Sequence, residues 1–349
     1  MHVVVNHVTN SYLRLPHTIW LLPFRFGQEA VLVFFLLSGF VICYSHGRAA
    51  PGTEDFRTYL IKRGRRIYPI FILALLLAYG VCCLGGHKLA TVNLGQLLGN
   101  LFMLQDQPER PGRICPPFSD NMPLWSLSFE WWFYMMFYPI NRWVPQTAQK
   151  FLVVGLTITG MLVNQIYPNG PCWYLVFFTI WWVGVELARE FIETGDVSFR
   201  RQKTMLTLTC LPLVWYAWVN WDWARHGRHF DLNGHPLVEL RYFVMAIGFV
   251  ALLFLWRRVG YFGFNYTVGW FLPLGGISYA LYLFHYPIIV DMRLLQGNHL
   301  FYADLGLRIV LVFVLAWFAE GLLQKWINRI TAPLLTPKSK IIAAQPAEA

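Results

Sequence analysis

The sequence predicts an all-α fold, a polytopic transmembrane helical bundle of nine full spans plus an N-terminal remnant of a tenth. Three observations carry that prediction. First, 13% of the 349 residues are charged, 56% are hydrophobic and the mean hydropathy is +0.45. Soluble domains carry about 25% charged residues, so this chain has too little charge to cover a water-facing surface. Second, the apolar residues fall in runs of roughly twenty bounded by charge, the length at which a helix crosses a bilayer. Third, the basic residues concentrate in alternate connecting loops. These observations exclude a soluble enzyme, and they exclude disorder outside the last dozen residues.

In chain order the runs extend from Ala30 to Ser45, Ile67 to Leu84, Leu124 to Ile140, Phe151 to Tyr167 and Trp173 to Leu187, then from Met205 to Trp221, Tyr242 to Trp256, Phe271 to Val290 and Leu305 to Trp326. The run from Leu94 to Leu104 is too short to cross and reads as a re-entrant or interfacial segment. Met1 to Val8 is apolar but far too short to span, which makes it the stump of a tenth helix. Between Gly85 and Met122 lies the longest segment between spans, with Pro108, Pro111, Pro116 and Pro117, and it reads as a lid-like loop. Residues 1–335 thus form one membrane domain, and 336–349 a disordered cytoplasmic tail.

Of the 28 Lys and Arg residues, 18 fall in the loops that carry Arg48, Arg57 to Arg66, Arg142, Lys150, Arg189, Arg200 to Lys203, Arg257, Arg258 and the C-terminal Lys325 to Lys340. The positive-inside rule assigns that side to the cytoplasm. With ten crossings both termini are cytoplasmic. The net charge of +10 therefore belongs to topology, and no nucleic-acid partner is expected. Trp and Tyr gather near span ends, where amphipathic rings anchor to the interface. The six cysteines have no metal-ligand spacing, and no metal is expected. Cys115 and Cys172 fall in outer loops, where a disulfide and free thiols are both open.

Ionisable groups at membrane depth are costly and mark function by default. Glu130 lies about seven residues into a span that starts at Pro123, roughly 10 Å deep at 1.5 Å per residue. Ser126, Glu130 and Tyr134 share a face at i, i+4, i+8. The alternative for Glu130 is a carboxylate that only ties helices together. Ser278, Tyr282 and His285 share another face, with Pro287 bending the helix beside His285. That histidine reads equally as a cross-helix hydrogen-bonding group or a catalytic one. Arg63 and Arg66, at i, i+3 on an inner mouth, read either as positive-inside anchors or as a site for a phosphorylated ligand. Ser38 and Gly39 form a small pair in a bulky run that permits close helix packing. His7 closes the N-terminal stump and has the side chain best matched to general-base work near neutral pH.

Together Phe34-Phe-Leu-Leu-Ser-Gly-Phe40, Arg63-x-x-Arg66-Ile-Tyr-Pro69, Trp125-Ser-Leu-Ser-Phe-Glu130-Trp-Trp-Phe-Tyr134 and Ile277-Ser-Tyr-Ala-Leu-Tyr282-Leu-Phe-His285 resemble, in order, the membrane-bound acyltransferase family 3. The resemblance implies a ten-helix fold in a membrane, expected to be the bacterial inner membrane. It implies transfer of an acyl group, expected to be acetyl, from cytoplasmic acyl-CoA to a hydroxyl of a cell-surface or exported carbohydrate or its lipid-linked precursor. No permanently bound cofactor is expected. By position His7 matches the family's catalytic histidine, whose basic partner would lie eleven residues earlier, so the first helix is expected to be truncated. Glu130 would hold the histidine tautomer or orient the acceptor. Arg63 and Arg66 would bind the CoA phosphates, and Ser38, Ser126, Tyr134, Ser278 and Tyr282 would line the cavity, with His285 as an alternative base. The competing class is a proton-coupled transporter or flippase with Glu130 and His285 as a relay. Such folds commonly repeat their halves, and no repeat is evident in this sequence.

Overall fold

A computed structural model describes residues 2–12, 27–47, 54–86, 91–228, 235–295 and 300–335. The tail expected at 336–349 lies outside the described residues. The chain divides into two compact units, one of residues 1–50 and 91–271 and the other of residues 51–90 and 272–349.

In the first unit α1 (His2–Asn6) runs into a π-helical turn, His7–Tyr12, and α2 (Gly27–Gly47) packs against α1. The second unit contributes α3 (Phe56–Gly86). Then follow α4 (Leu94–Leu101), α5 (Leu124–Trp143), α6 (Gln146–Ile166), α7 (Gly170–Thr194), α8 (Phe199–Arg225) and α9 (Leu237–Arg258), all in the first unit. The second unit resumes with α10 (Ser278–His285), α11 (Phe301–Phe318) and α12 (Gln324–Ile330).

Seven of the nine apolar runs fall, to within a residue, on single helices, α2, α3 and α5 to α9, whereas the run from Phe271 to Val290 covers three helical segments and that from Leu305 to Trp326 covers α11, a π-helical turn, Ala319–Leu323, and α12. Five segments, Gly27–Gly47, Phe56–Gly85, Leu237–Arg258, Val268–Asp291 and Phe301–Ile330, are long and apolar enough to cross a membrane. The α5 to α8 helices have the length, but Trp, Tyr, Gln, Thr and charged residues dilute their hydropathy. Large apolar side chains point outward elsewhere, among them Leu37 of α2, Leu76 of α3, Leu252 of α9 and Trp317 of α11. That pattern is costly in water and suits a lipid surface.

Local chemistry sets the helix ends. Asn169 caps α7 by accepting from the Cys172 N–H at 3.0 Å, Pro171 occupies the first turn, and Gly195 closes the helix in the left-handed region at φ 72°. Ser198 then caps α8. The span expected from Phe271 to Val290 departs from a regular α-helix. It begins as a 3-10 segment, Val268–Ile277, becomes α10, and continues as a π-helical segment, Tyr286–Asp291. Gly269, Pro273, Gly275 and Gly276 weaken α-helical hydrogen bonding before α10, and Pro287 removes a donor after it.

The segment before α5 is a folded cap rather than an open lid. Within it Asn100 is fully buried, donating to the carbonyls of Gln96 at 2.9 Å and Pro116 at 3.0 Å and accepting from the Phe118 N–H at 3.0 Å. Gln105 donates to the Leu124 carbonyl at 3.0 Å, and the Trp173 indole donates to the Pro111 carbonyl at 2.9 Å, which docks the cap on α5 and α7. Cys115 and Cys172 are both free thiols. Burial pushes the Cys115 thiol up to about 11, and nearby Asp106 adds to the shift.

Candidate active site

In the first unit the site begins where α2 crosses α7. A Cβ on Gly39 would collide with the Trp181 carbonyl, and a Cβ on Gly184 with the Leu36 carbonyl. Two glycines facing opposite backbones let these helices approach closely, the packing that small residues permit in membranes. The crossing presents Ser38 of α2 to Glu130 and Tyr134 of α5. Ser38 Oγ donates to Glu130 Oε1 at 2.9 Å, the Tyr134 hydroxyl donates to the same oxygen, and the Trp181 indole donates to Ser38 Oγ at 3.2 Å. Glu130 is 6% exposed. One carboxylate oxygen therefore takes two hydroxyl donors, an arrangement that fixes the orientation of a carboxylate in a low-dielectric site. Ser126 is buried on the same helix and donates to the Pro123 carbonyl at 3.3 Å. His7 is half-buried in the π-helical turn that follows α1.

The second unit gathers the remaining expected residues. Arg66 of α3 forms a two-pronged ion pair with Glu320, one prong at 3.2 Å, and its guanidinium lies 5.3 Å from the ring of Tyr279. Glu320 also accepts from the Ala280 N–H at 3.4 Å, in the first turn of α10. Tyr279 donates to the Ile67 carbonyl at 3.0 Å. Arg63 stands over the Tyr59 ring at 5.2 Å. On α10, His285 is fully buried, and its Nδ1 lies 2.7 Å from the Tyr282 carbonyl. A carbonyl only accepts, so Nδ1 carries a proton, and in the neutral ring the lone pair is then on Nε2. Tyr282 places its ring 5.9 Å from that imidazole. Ser278 is exposed and donates to the Gly275 carbonyl at 2.9 Å.

Sequence reasoning missed several buried charges. Glu320 holds Arg66, and its signal was a lone carboxylate inside a long apolar run. In the first unit, Glu29 of α2 pairs with Arg241 of α9, and Glu239 pairs with His235. In the cap, Arg110 is 2% exposed and ion-paired with Asp106 at 3.3 Å. Its guanidinium lies 5.0 to 5.4 Å from the rings of Trp125, Phe129, Trp173 and Phe177. Burial pushes the Asp106 carboxyl above its ordinary value, against the opposing pull of Arg110. Arg308 is fully buried in the second unit. It pairs with Asp304 at 2.8 Å and donates to the Ile289 and Met292 carbonyls at 2.7 and 2.6 Å, closing the end of the π-helical segment.

Comparison with known proteins places residues 1–320 on a family described as the acyltransferase domain, of the acyltransferase 3 type. The chain is 30% identical over 175 residues to acyltransferase MdmB of Streptomyces mycarofaciens, covering 42% of each chain. It is 29% identical over 145 residues to exopolysaccharide production protein ExoZ of Rhizobium meliloti (strain 1021), covering 40% of this chain and 43% of that one. The chain thus spans less than half the length of the curated relatives it matches. No solved structure matches it.

Proposed function

Because the chain belongs to the acyltransferase 3 family, we propose that it is a membrane O-acyltransferase moving an acyl group, acetyl in the first instance, from acyl-CoA to a carbohydrate hydroxyl. The observation that carries this reading is the family match across residues 1–320. The carbohydrate acceptor, surface-bound or lipid-linked, is suggested by the relative named as an exopolysaccharide production protein. The donor enters from the cytoplasm and the acceptor from the opposite side of the inner membrane.

The chemistry asks for a base, an oriented acceptor and a held donor. His7 takes the proton of the acceptor hydroxyl as its oxygen attacks the thioester carbon; the tetrahedral intermediate collapses, the C–S bond breaks, and the departing thiolate recovers a proton. His285, whose Nε2 bears the lone pair, is the alternative base. Glu130, whose carboxylate is held by Ser38 and Tyr134, orients the imidazole or the acceptor. Arg63 and Arg66 receive the phosphates of CoA, and at Arg66 the phosphate competes with Glu320.

The test is mass spectrometry of acetyl ester on surface glycan from cells expressing Glu130→Gln at wild-type membrane levels. The substitution keeps the shape and removes the charge, so the ester is expected to disappear. Wild-type ester in that variant removes Glu130 from the mechanism, and an equal ester content with and without the protein removes the acyltransferase reading.

A further inference from the structure

In the first unit, the ends of α2, α5, α6 and α7 on the side that the basic loops assign to the cytoplasm enclose a cavity of about 280 Å3. None of the residues given a role above lines it. Ligand pockets for drug-sized molecules run to roughly 300 to 1,000 Å3, so this one has room for a single ring system and its substituents.

The charges in its wall are already balanced by the protein. Arg189 donates to Glu186 at 2.7 Å, to Asn141 at 3.1 Å and to Gln149. Gln149 is itself held by the Ile140 and Val144 carbonyls at 3.1 and 2.7 Å. The other charged lining residue, Glu193, pairs with Arg201 at 2.7 Å. A guanidinium paired with a carboxylate and engaged by two more side-chain acceptors is a weaker phosphate receptor than an unengaged one. What the wall offers is neutral. Asn141 keeps its amide donor, and the exposed Gln146 supplies both a donor and an acceptor. The half-buried His46, edge to face with the fully buried Phe137 at 5.8 Å, gives the wall a partly exposed ring. Side-chain amides beside aromatic faces recognise a planar heterocycle that has both donor and acceptor edges, as a nucleobase does.

We infer that this cavity binds the adenine ring of the acyl donor, with the phosphates left outside it. The inference rests on the acyl-CoA reading above and deepens it: adenine is the one heterocycle that acyl-CoA contains, and it is neutral, planar and edged with donors and acceptors. Donor selectivity then resides in the first unit, at residues that take no part in acyl transfer.

The experiment measures binding of CoA, of 4′-phosphopantetheine and of 1,N6-etheno-CoA to the full chain in lipid nanodiscs. Etheno-CoA, whose adenine edge is blocked, is expected to bind the wild type about tenfold more weakly than CoA. Asn141→Leu with Gln146→Leu is expected to weaken CoA about tenfold, to abolish discrimination against etheno-CoA, and to leave phosphopantetheine binding unchanged. Equal wild-type affinity for CoA and etheno-CoA overturns the assignment without recourse to any variant. Equal weakening of CoA and phosphopantetheine in the double variant overturns it as well. Failure of the wild type to bind either CoA or phosphopantetheine removes the donor reading itself, which separates the two failures.

Discussion

Two histidines compete for the base, and their surroundings differ in kind. His285 has its tautomer set by a backbone carbonyl 2.7 Å from Nδ1 and is fully buried, whereas His7 sits half-buried on a turn of π-helix. With His7 as base, His7→Gln is expected to lower kcat by 10² to 10⁴, the usual contribution of a positioned general base, while His285→Gln retains a measurable rate. The reverse order, read from acetyl-transfer kinetics in membranes, transfers the role to His285. Arg66 allows a second test at this scale. Removing a charge-assisted contact worth about 1.5 to 3 kcal/mol is expected to raise KM for acetyl-CoA about tenfold or more in Arg66→Ala. Glu320→Gln, which removes the competing carboxylate, should not raise it. An unchanged KM in Arg66→Ala reduces that arginine to a tether of α10 through Glu320. Glu130 and His285 were legible because each interrupts an apolar run, whereas Glu320 interrupts one in the same way and was passed over. Their partners were not legible: Ser38 and Glu130 are 92 positions apart and Arg66 and Glu320 are 254 apart, and nothing in a single sequence encodes which distant helix will face which.

At the level of the element, the apolar runs located helices well because their length is dictated by the bilayer rather than by local propensity. The composite segment from Val268 to Asp291 was less legible. Hydropathy does not distinguish a 3-10 or π-helical turn from an α-helical one, although Pro287 marked where the change falls. The short apolar run reads as re-entrant or interfacial, and α4 bears Leu94, Leu98 and, just past its end, Phe102 as exposed side chains at i, i+4, i+8, a stripe suited to lying in the headgroup boundary. The Ser38-Gly39 pair was read as packing, and the crossing of α2 with α7 makes the same residues the frame of the Glu130 cluster. Gly184→Ala drives a Cβ at the Leu36 backbone, so α2 must move away. Overpacking of this kind costs about 1 to 3 kcal/mol. Purified Gly184→Ala is expected to melt several degrees lower in detergent and to lose activity together with the Ser38 to Glu130 bond. In contrast Gly155→Ala, where an added Cβ meets nothing within 4 Å, should leave both unchanged. Equal behaviour of the two variants refutes a framing role for the crossing.

At the scale of the whole molecule, sidedness governs everything proposed for the chemistry, since that proposal brings donor and acceptor from opposite sides. It rests on the positive-inside rule, whose basis is the asymmetric distribution of Lys and Arg in short loops. The net charge of +10 becomes topological information once it is sorted by loop. Two turns flanking α8 and α9 test it without disturbing the buried pairs. Gly227, after α8, and Gly260, after α9, are exposed and occupy the left-handed region at φ 64° and 62°, with nothing near an added Cβ. Loop tips of this kind tolerate insertion. An epitope inserted after Gly227 is expected to bind antibody in intact spheroplasts, whereas one inserted after Gly260, which follows Arg257 and Arg258, should bind only after permeabilisation. The opposite pattern inverts the molecule, placing the cavity beside Arg189 on the outer face. It would then exclude both the cytoplasmic donor and the adenine assignment. Accessibility of both epitopes from one side would instead mean that α9 does not cross the membrane, which the run from Tyr242 to Trp256 and its helix, Leu237–Arg258, predict that it does.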